Sequence, residues 1–199
     1  NTKVSEDSLL TINQEYSKLE LNLENKPMLD KVKISTQNYG VVQGYSASTN
    51  QGKIRNYNED RVSIILNINK PSSKVYDKEW PKCSFFGIYD GHAGSSCADF
   101  LRDNLHKYII NDSNFPDNPQ KAILNGFLTS ERVFLEYSLN SGNKSGSCAL
   151  IILILENKCF VANLGDSRAL MSGNFGEKTY VLSRDHRPGD EKEYKRIID

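Results

Sequence analysis

Three acid-bearing turns are the parts of the 199-residue chain best suited to chemistry: Asn58-Glu59-Asp60, Asp90-Gly91-His92 and Gly165-Asp166-Ser167. Each places a carboxylate where an apolar run begins or ends, and in two of them a glycine adjoins the acid. Carboxylates brought to one rim repel each other unless cations neutralise them. Oxygen donors without a nearby Cys or His pair suit Mg²⁺ or Mn²⁺ rather than zinc. Glycine permits close backbone approach, so the Gly91 carbonyl could itself be a ligand. Simpler readings stand beside this one: acids at turns also serve solubility, Asp-Gly is a common turn, and His92 could be a capping or solvated histidine.

Strands must position these acids. Phe85-Phe86-Gly87-Ile88-Tyr89 reads as a short apolar strand that ends on Asp90-Gly91-His92. Alternation puts Phe86, Ile88 and Asp90 on one face, so Asp90 is expected to continue a buried row and to emerge where the sheet meets solvent. Further strands are expected at residues 41–45, 62–68, 149–155, 159–164, 169–171 and 179–182. The link Glu156-Asn157-Lys158 is so short that the strands it joins must be antiparallel. The unbroken run Ala-Leu-Ile-Ile-Leu-Ile-Leu from Ala149 implies a strand covered on both faces. After His92 the period becomes helical, with Ala98, Leu101, Leu105 and Ile109 inward and Asp99, Arg102, Asp103 and a solvated His106 outward. A second helix is expected over 119–139, burying Ala122, Ile123, Phe127, Val133, Phe134 and Tyr137. Two packed antiparallel sheets with helices outside satisfy this pattern.

Apolar residues make up 38% of the chain, enough for one domain with a sizeable core. Lys plus Arg equals Asp plus Glu at 25 each, so bulk charge favours neither nucleic acid nor an anionic membrane. The apolar runs are too short to span a bilayer, and the N-terminus lacks a secretory pattern. The expectation is a soluble, monomeric protein in the cytoplasm or nucleus. Cys83, Cys97, Cys148 and Cys159 show no Cys-x-x-Cys spacing and read as reduced thiols. Residues 1–38 read as a polar extension in which Leu9, Leu10, Ile12, Tyr16, Leu19 and Leu21 could form a loose amphipathic helix ended by Pro27, and 39–199 as the portion that carries the strands and helices. The chain starts without Met and stops in what looks like the first turns of a helix, so it reads as a piece of something larger.

Five motifs, in order, resemble those of the metal-dependent protein serine/threonine phosphatases, the protein phosphatase 2C family: Arg55-Asn56-Tyr57-Asn58-Glu59-Asp60, Tyr89-Asp90-Gly91-His92-Ala93-Gly94, Gly146-Ser147-Cys148-Ala149, Ala162-Asn163-Leu164-Gly165-Asp166-Ser167-Arg168-Ala169 and Ser183-Arg184-Asp185-His186-Arg187-Pro188. The resemblance implies an α+β fold, a four-layer α-β-β-α sandwich of two antiparallel sheets flanked by helices, of which this chain holds a partial domain. It implies a binuclear Mg²⁺ or Mn²⁺ centre with Glu59 and Asp90 as carboxylate ligands, the Gly91 carbonyl in one shell, Asp60 beside them holding metal-bound water, and Asp166 at a third, weaker position. Arg55 matches the phosphate-binding arginine and His92 the general acid, so a metal-activated water would hydrolyse phosphoserine or phosphothreonine in protein substrates. Other readings remain: Arg55 pairs structurally with an acid, His92 only orders water, and His186 is structural. Ser147 and Ser167 lack the context of a nucleophile elbow. Cys148 stands where the family has threonine, and further aspartate ligands are expected C-terminal to Asp199. The alternative function is a catalytically inactive, phosphatase-like protein-binding module.

Overall fold

The computed structural model describes residues 33–199, so the helix expected around residues 9–21 lies outside the described residues. Among the described residues the order is β1 (Lys33–Ser35), β2 (Tyr45–Ala47), β3 (Arg61–Ile65), β4 (Cys83–Tyr89), β5 (Gly91–His92), α1 (Ser96–Asn111), α2 (Pro119–Ser141), β6 (Gly146–Ser147), β7 (Ala149–Leu155), β8 (Lys158–Leu164), β9 (Leu170–Gly173), β10 (Lys178–Val181) and α3 (Glu191–Ile198). The fold is α+β, built from antiparallel sheets and flanking helices.

The all-apolar β7 occupies an inner place in a four-stranded sheet of order β3-β4-β7-β8, every pair antiparallel. Register fixes which side chains share a face: Gly87 lies opposite both Ser63 and Ile151, and Phe85 opposite both Ile65 and Leu153. Cys83, Phe85, Tyr89, Ala149, Ile151 and Leu153 therefore point together into the core, where they meet Ala98, Leu101, Leu105 and Ile109 of α1. Burial of side chains the size of Phe85, Leu105 or Ile151 stabilises by roughly 1.5–3 kcal/mol each. The row that holds Asp90 is the other one. Phe86 is partly covered, Ile88 is 48% exposed and Asp90 is exposed, so the expected burial of that row is corrected. The alternation itself holds, but helices cover only the odd-numbered face of β4. On the even face the β1–β2 ribbon supplies the cover, with Tyr45 edge-on to Phe86 at 6.3 Å. Lys33–Ser35, within the expected extension, thus pairs with the second strand.

Side chains truncate and join these elements. The strand expected over 62–68 leaves the ladder after Ile65, because the Ser84 hydroxyl takes the Leu66 carbonyl at 2.6 Å and the Trp80 indole N–H the Ile68 carbonyl at 2.8 Å. Asn118 caps α2 by accepting the Lys121 N–H at 3.1 Å, and Gly142, with φ of 69°, ends it in the left-handed conformation. The buried face of α2 comprises Ala122, Ile123, Gly126, Ser130 and Phe134, whereas Tyr137, expected inside, is 50% exposed. His106 corrects the expectation in the opposite direction. It lies half-buried against the sheet, its ring 5.9 Å from that of Phe85, because the broad face of β4 reaches beyond the narrow stripe that the helix period marks.

Candidate active site

The first acidic turn enters β3 and the second leaves β4, and these strands are paired with Arg61 opposite Tyr89, so both turns open at the same end of the sheet. Glu59 is buried, and each of its carboxylate oxygens accepts one hydrogen bond and keeps a second lone pair. One carboxylate oxygen accepts from an Arg55 guanidinium nitrogen at 2.9 Å, and the other from the Gly94 N–H at 2.5 Å. The turns also touch through backbone. A Cβ placed on Gly91 would lie 2.6 Å from the Glu59 carbonyl oxygen and 3.3 Å from the Ala98 side chain, a space that only glycine fits. Asp60 is fixed from behind by Asn58, whose side-chain oxygen accepts the Asp60 N–H at 2.9 Å.

His92 is exposed on the two-residue ladder β5–β6, opposite Gly146. Its ring lies over Gly146, where a side chain would project. The position of β6 is set by Ser145, a buried residue whose hydroxyl accepts the Cys97 N–H at 3.0 Å and donates to Asn143 at 2.6 Å, which ties the ladder to the start of α1. Cys148 then connects the second and third acidic turns: its N–H donates to the Asp90 carbonyl at 2.8 Å and its thiol to Asp166 at 3.5 Å. Burial raises the thiol above its ordinary value, and the charges of Asp166 and Asp90 act in the same direction.

The Gly165–Asp166 turn is held from the C-terminal side. His186 donates its backbone N–H to the Gly165 carbonyl at 2.9 Å and accepts the Gly165 N–H on Nδ1 at 3.3 Å, while Arg168 grips Asp185 with two bonds at 2.9 and 2.7 Å. Arg187 stands 3.8 Å from Asp166. His186 therefore shapes the turn that carries the acid. Glu59, Asp60, Asp90 and Gly91 form one rim with Arg55, His92 follows on the β5–β6 ladder, and Asp166 is linked to the rim through Cys148.

Electrostatics show that the carboxylates act on one another. Burial and then the charge of Asp90 raise the Asp60 carboxyl above its ordinary value, with Arg55 and Arg61 pulling the other way and Glu59 adding to the rise. Negative charge concentrated on oxygen donors alone fits a hard divalent cation. Among the described residues no three His, Cys, Asp or Glu side chains lie close enough together to hold a metal ion.

The family model "Protein phosphatase 2C" matches residues 44–199. The chain belongs to the protein phosphatase 2C family. "Probable protein phosphatase 2C 57" of Oryza sativa subsp. japonica is 38% identical over 115 residues, 57% of this chain and 31% of the relative. Among solved structures, a "C.elegans sex determining protein" aligns with a TM-score of 0.58 and 21% identity over 96% of this chain and 43% of the other. A mutant "bacterial serine phosphatase" aligns with a TM-score of 0.55 and 19% identity over 69% of this chain and 59% of the other. These two likenesses concern the fold. The chain spans about a third of the length of the curated relatives it matches, between 29% and 33% for the first three. Within this protein phosphatase 2C domain, sequence reading overlooked Arg61 and Asp99, which join the start of β3 to the first turn of α1, and Ser145. An arginine directly after the acidic pair was the one available signal, since its partner lies 38 positions away.

Proposed function

We propose that the parent protein, whose phosphatase domain this chain covers in part, hydrolyses phosphoserine and phosphothreonine in protein substrates with Mg²⁺ or Mn²⁺ at the Glu59–Asp90 rim. The observation that carries this reading is the gathering of Glu59, Asp60 and Asp90 beside the exposed Arg55 guanidinium, with the exposed His92 two residues beyond Asp90. Glu59, Asp90 and the Gly91 carbonyl would hold the cations, Asp60 would take a place beside them, and Asp166 a weaker outlying position. Bound there, divalent cations supply Lewis-acid charge and lower the pKa of water.

The chain's own residues do the rest. Arg55 gives one nitrogen to Glu59 and keeps 67% of its side chain exposed, so its remaining donors can take phosphate oxygens in a forked geometry while the Glu59 pair orients the group. The pairing with Glu59 and the phosphate role are therefore compatible. His92, exposed and seated over Gly146, donates a proton to the departing serine or threonine oxygen. The similarity to a bacterial serine phosphatase supports the fold on which this chemistry would run.

The test is phosphate release from a phosphothreonine peptide in Mn²⁺ and in EDTA, for the wild type and Asp90→Ala. Hydrolysis should need the metal and vanish in the variant. Turnover in EDTA, or full activity of Asp90→Ala, would defeat the proposal. A protein that binds partner proteins but fails to hydrolyse any phosphopeptide would point to the binding-module alternative.

A further inference from the structure

Arg61 uses every part of its guanidinium. Nη1 donates to the carbonyls of Asn58 and Asp60, both at 2.8 Å, the residues on either side of Glu59. Nε and Nη2 grip Asp99 of α1 at 2.7 and 3.2 Å. Asp99 also accepts from the Ser95 hydroxyl at 3.0 Å and from Arg102 at 2.8 Å, so it belongs to the segment that follows Asp90-Gly91-His92. The Arg61 side chain is 24% exposed, and its hydrogen bond holds the Asp99 carboxyl below the ordinary value.

We propose that Arg61 is a positioning residue that locks the Glu59–Asp60 turn to the start of α1, and thereby sets the spacing between the two acidic turns. This inference rests on the metal-dependent reading above. The Glu59 side chain is held by Gly94 N–H and Arg55, and within the turn the Asn58 side chain accepts the Asp60 N–H and donates to the Thr49 hydroxyl at 2.7 Å, while Arg55-Asn56-Tyr57 upstream are all exposed. Arg61 adds the restraint that joins two carbonyls of this turn to a helix. A bidentate guanidinium–carboxylate pair is directional, and here it transmits the position of a rigid helix to two carbonyls in a loop. Lysine, a single-point donor, cannot span both groups. Because the second turn is also anchored on α1 through Gly91 against Ala98, the helix becomes the common reference for both sets of acids. Arg61 touches neither phosphate nor water in this role.

The experiment compares the wild type with Arg61→Lys, Arg61→Met, Asp99→Asn and the Arg61→Met/Asp99→Asn double variant by three measurements: calorimetric titration with Mn²⁺, amide hydrogen exchange of peptides covering 55–62 and 90–95, and thermal unfolding. Loss of an outer-shell partner lowers metal affinity by about 10–100-fold, and a weakening in that range is expected for Arg61→Met and Asp99→Asn, less for Arg61→Lys. Exchange should accelerate in 55–62, with 90–95 retaining its protection, and the double variant should be no weaker than either single one. A role in stability alone predicts a lower melting temperature with Mn²⁺ affinity of the folded protein unchanged, and that result would overturn the assignment. Wild-type protein that takes up no Mn²⁺ would sink the functional proposal. In that case the exchange rates alone decide: unchanged protection of 55–62 in Arg61→Met overturns the lock.

Discussion

Substituting Gly91 by alanine sets two opposing effects against each other at the centre of the rim. Its φ is not positive, so alanine meets no backbone penalty there, and replacing glycine in a strand lowers the entropy of the unfolded chain, a gain of about 0.5–1 kcal/mol. Against this, the new methyl would stand 2.6 Å from the Glu59 carbonyl oxygen, 3.2 Å from the Glu59 Cβ and 3.3 Å from the Ala98 Cβ. The first neighbour is backbone and the third sits on a packed helix, so neither can rotate away. Overpacking of this kind costs about 1–3 kcal/mol. A 2.6 Å approach to backbone puts the cost in the upper part of that range, about 2–3 kcal/mol, so the steric cost wins with a net destabilisation of about 1–2.5 kcal/mol, or a fall of roughly 2–10 °C in melting temperature for a domain of this size. Thermal unfolding followed by circular dichroism measures it, with Gly189→Ala as control because nothing lies within 4 Å of the methyl it would add. The control should match the wild type or exceed it. If Gly91→Ala also melts at or above the wild-type temperature, the close approach of the two acidic turns is not a constraint and the rim is loosely held. If Gly91→Ala unfolds earlier, its Mn²⁺ affinity should fall as well, since the displaced atom belongs to the Glu59 peptide.

Much of the scaffold is legible in the sequence because it is periodic. The stripe Ala98, Leu101, Leu105, Ile109 is buried as its spacing requires, and the apolar run from Ala149 forms an inner strand turning through Glu156-Asn157 into an antiparallel neighbour. Periodicity reports that a face is apolar without saying what covers it. Hence the row of Asp90 reads as the covered side, when helices pack on Cys83, Phe85 and Tyr89 and leave Ile88 half open. Short pairings give no signal either. β1 with β2, and Gly91–His92 with Gly146–Ser147, are ladders of three and two residues, too short to show a period, and the second joins segments distant in sequence. The acids of the rim are visible because an acid and a glycine at the end of an apolar strand are a poor choice for packing alone. Their supports are not visible. Asp99 reads as an ordinary outward-facing acid of an amphipathic helix, and only the fold reveals that outward from the core is toward Arg61.

Three further outcomes rest on packing and charge in the helix layer. In α2, Gly126→Ala gains about 1 kcal/mol of helix propensity, but its methyl would meet the Ile109 side chain of α1 and lie 3.2 Å from the Ile109 nitrogen, so the variant should unfold at lower urea concentration than the wild type; a higher midpoint would mean that the two helices part easily. Ser145→Ala removes the acceptor for the Cys97 N–H inside the fold and should cost about 1–3 kcal/mol in the same assay, whereas Ser141→Ala, exposed at the end of α2, should change little. His106 gives a pH dependence with a definite sign. Burial, and then the charge of Lys107, lower its folded pKa below 6.5, while the Arg102 carbonyl and Asp103 act weakly the other way. Below pH 6.5 the unfolded chain binds a proton that the folded chain refuses, so stability should decline as pH falls through that value and level off only once the folded imidazole also titrates. His106→Leu keeps the contact with Phe85 and removes the proton site; its urea midpoint should be flatter than that of the wild type from pH 7 down to about 5, above the range where carboxylates dominate. Identical pH slopes in the two proteins would show that His106 accepts its proton in place, through solvent reaching the space between α1 and the sheet.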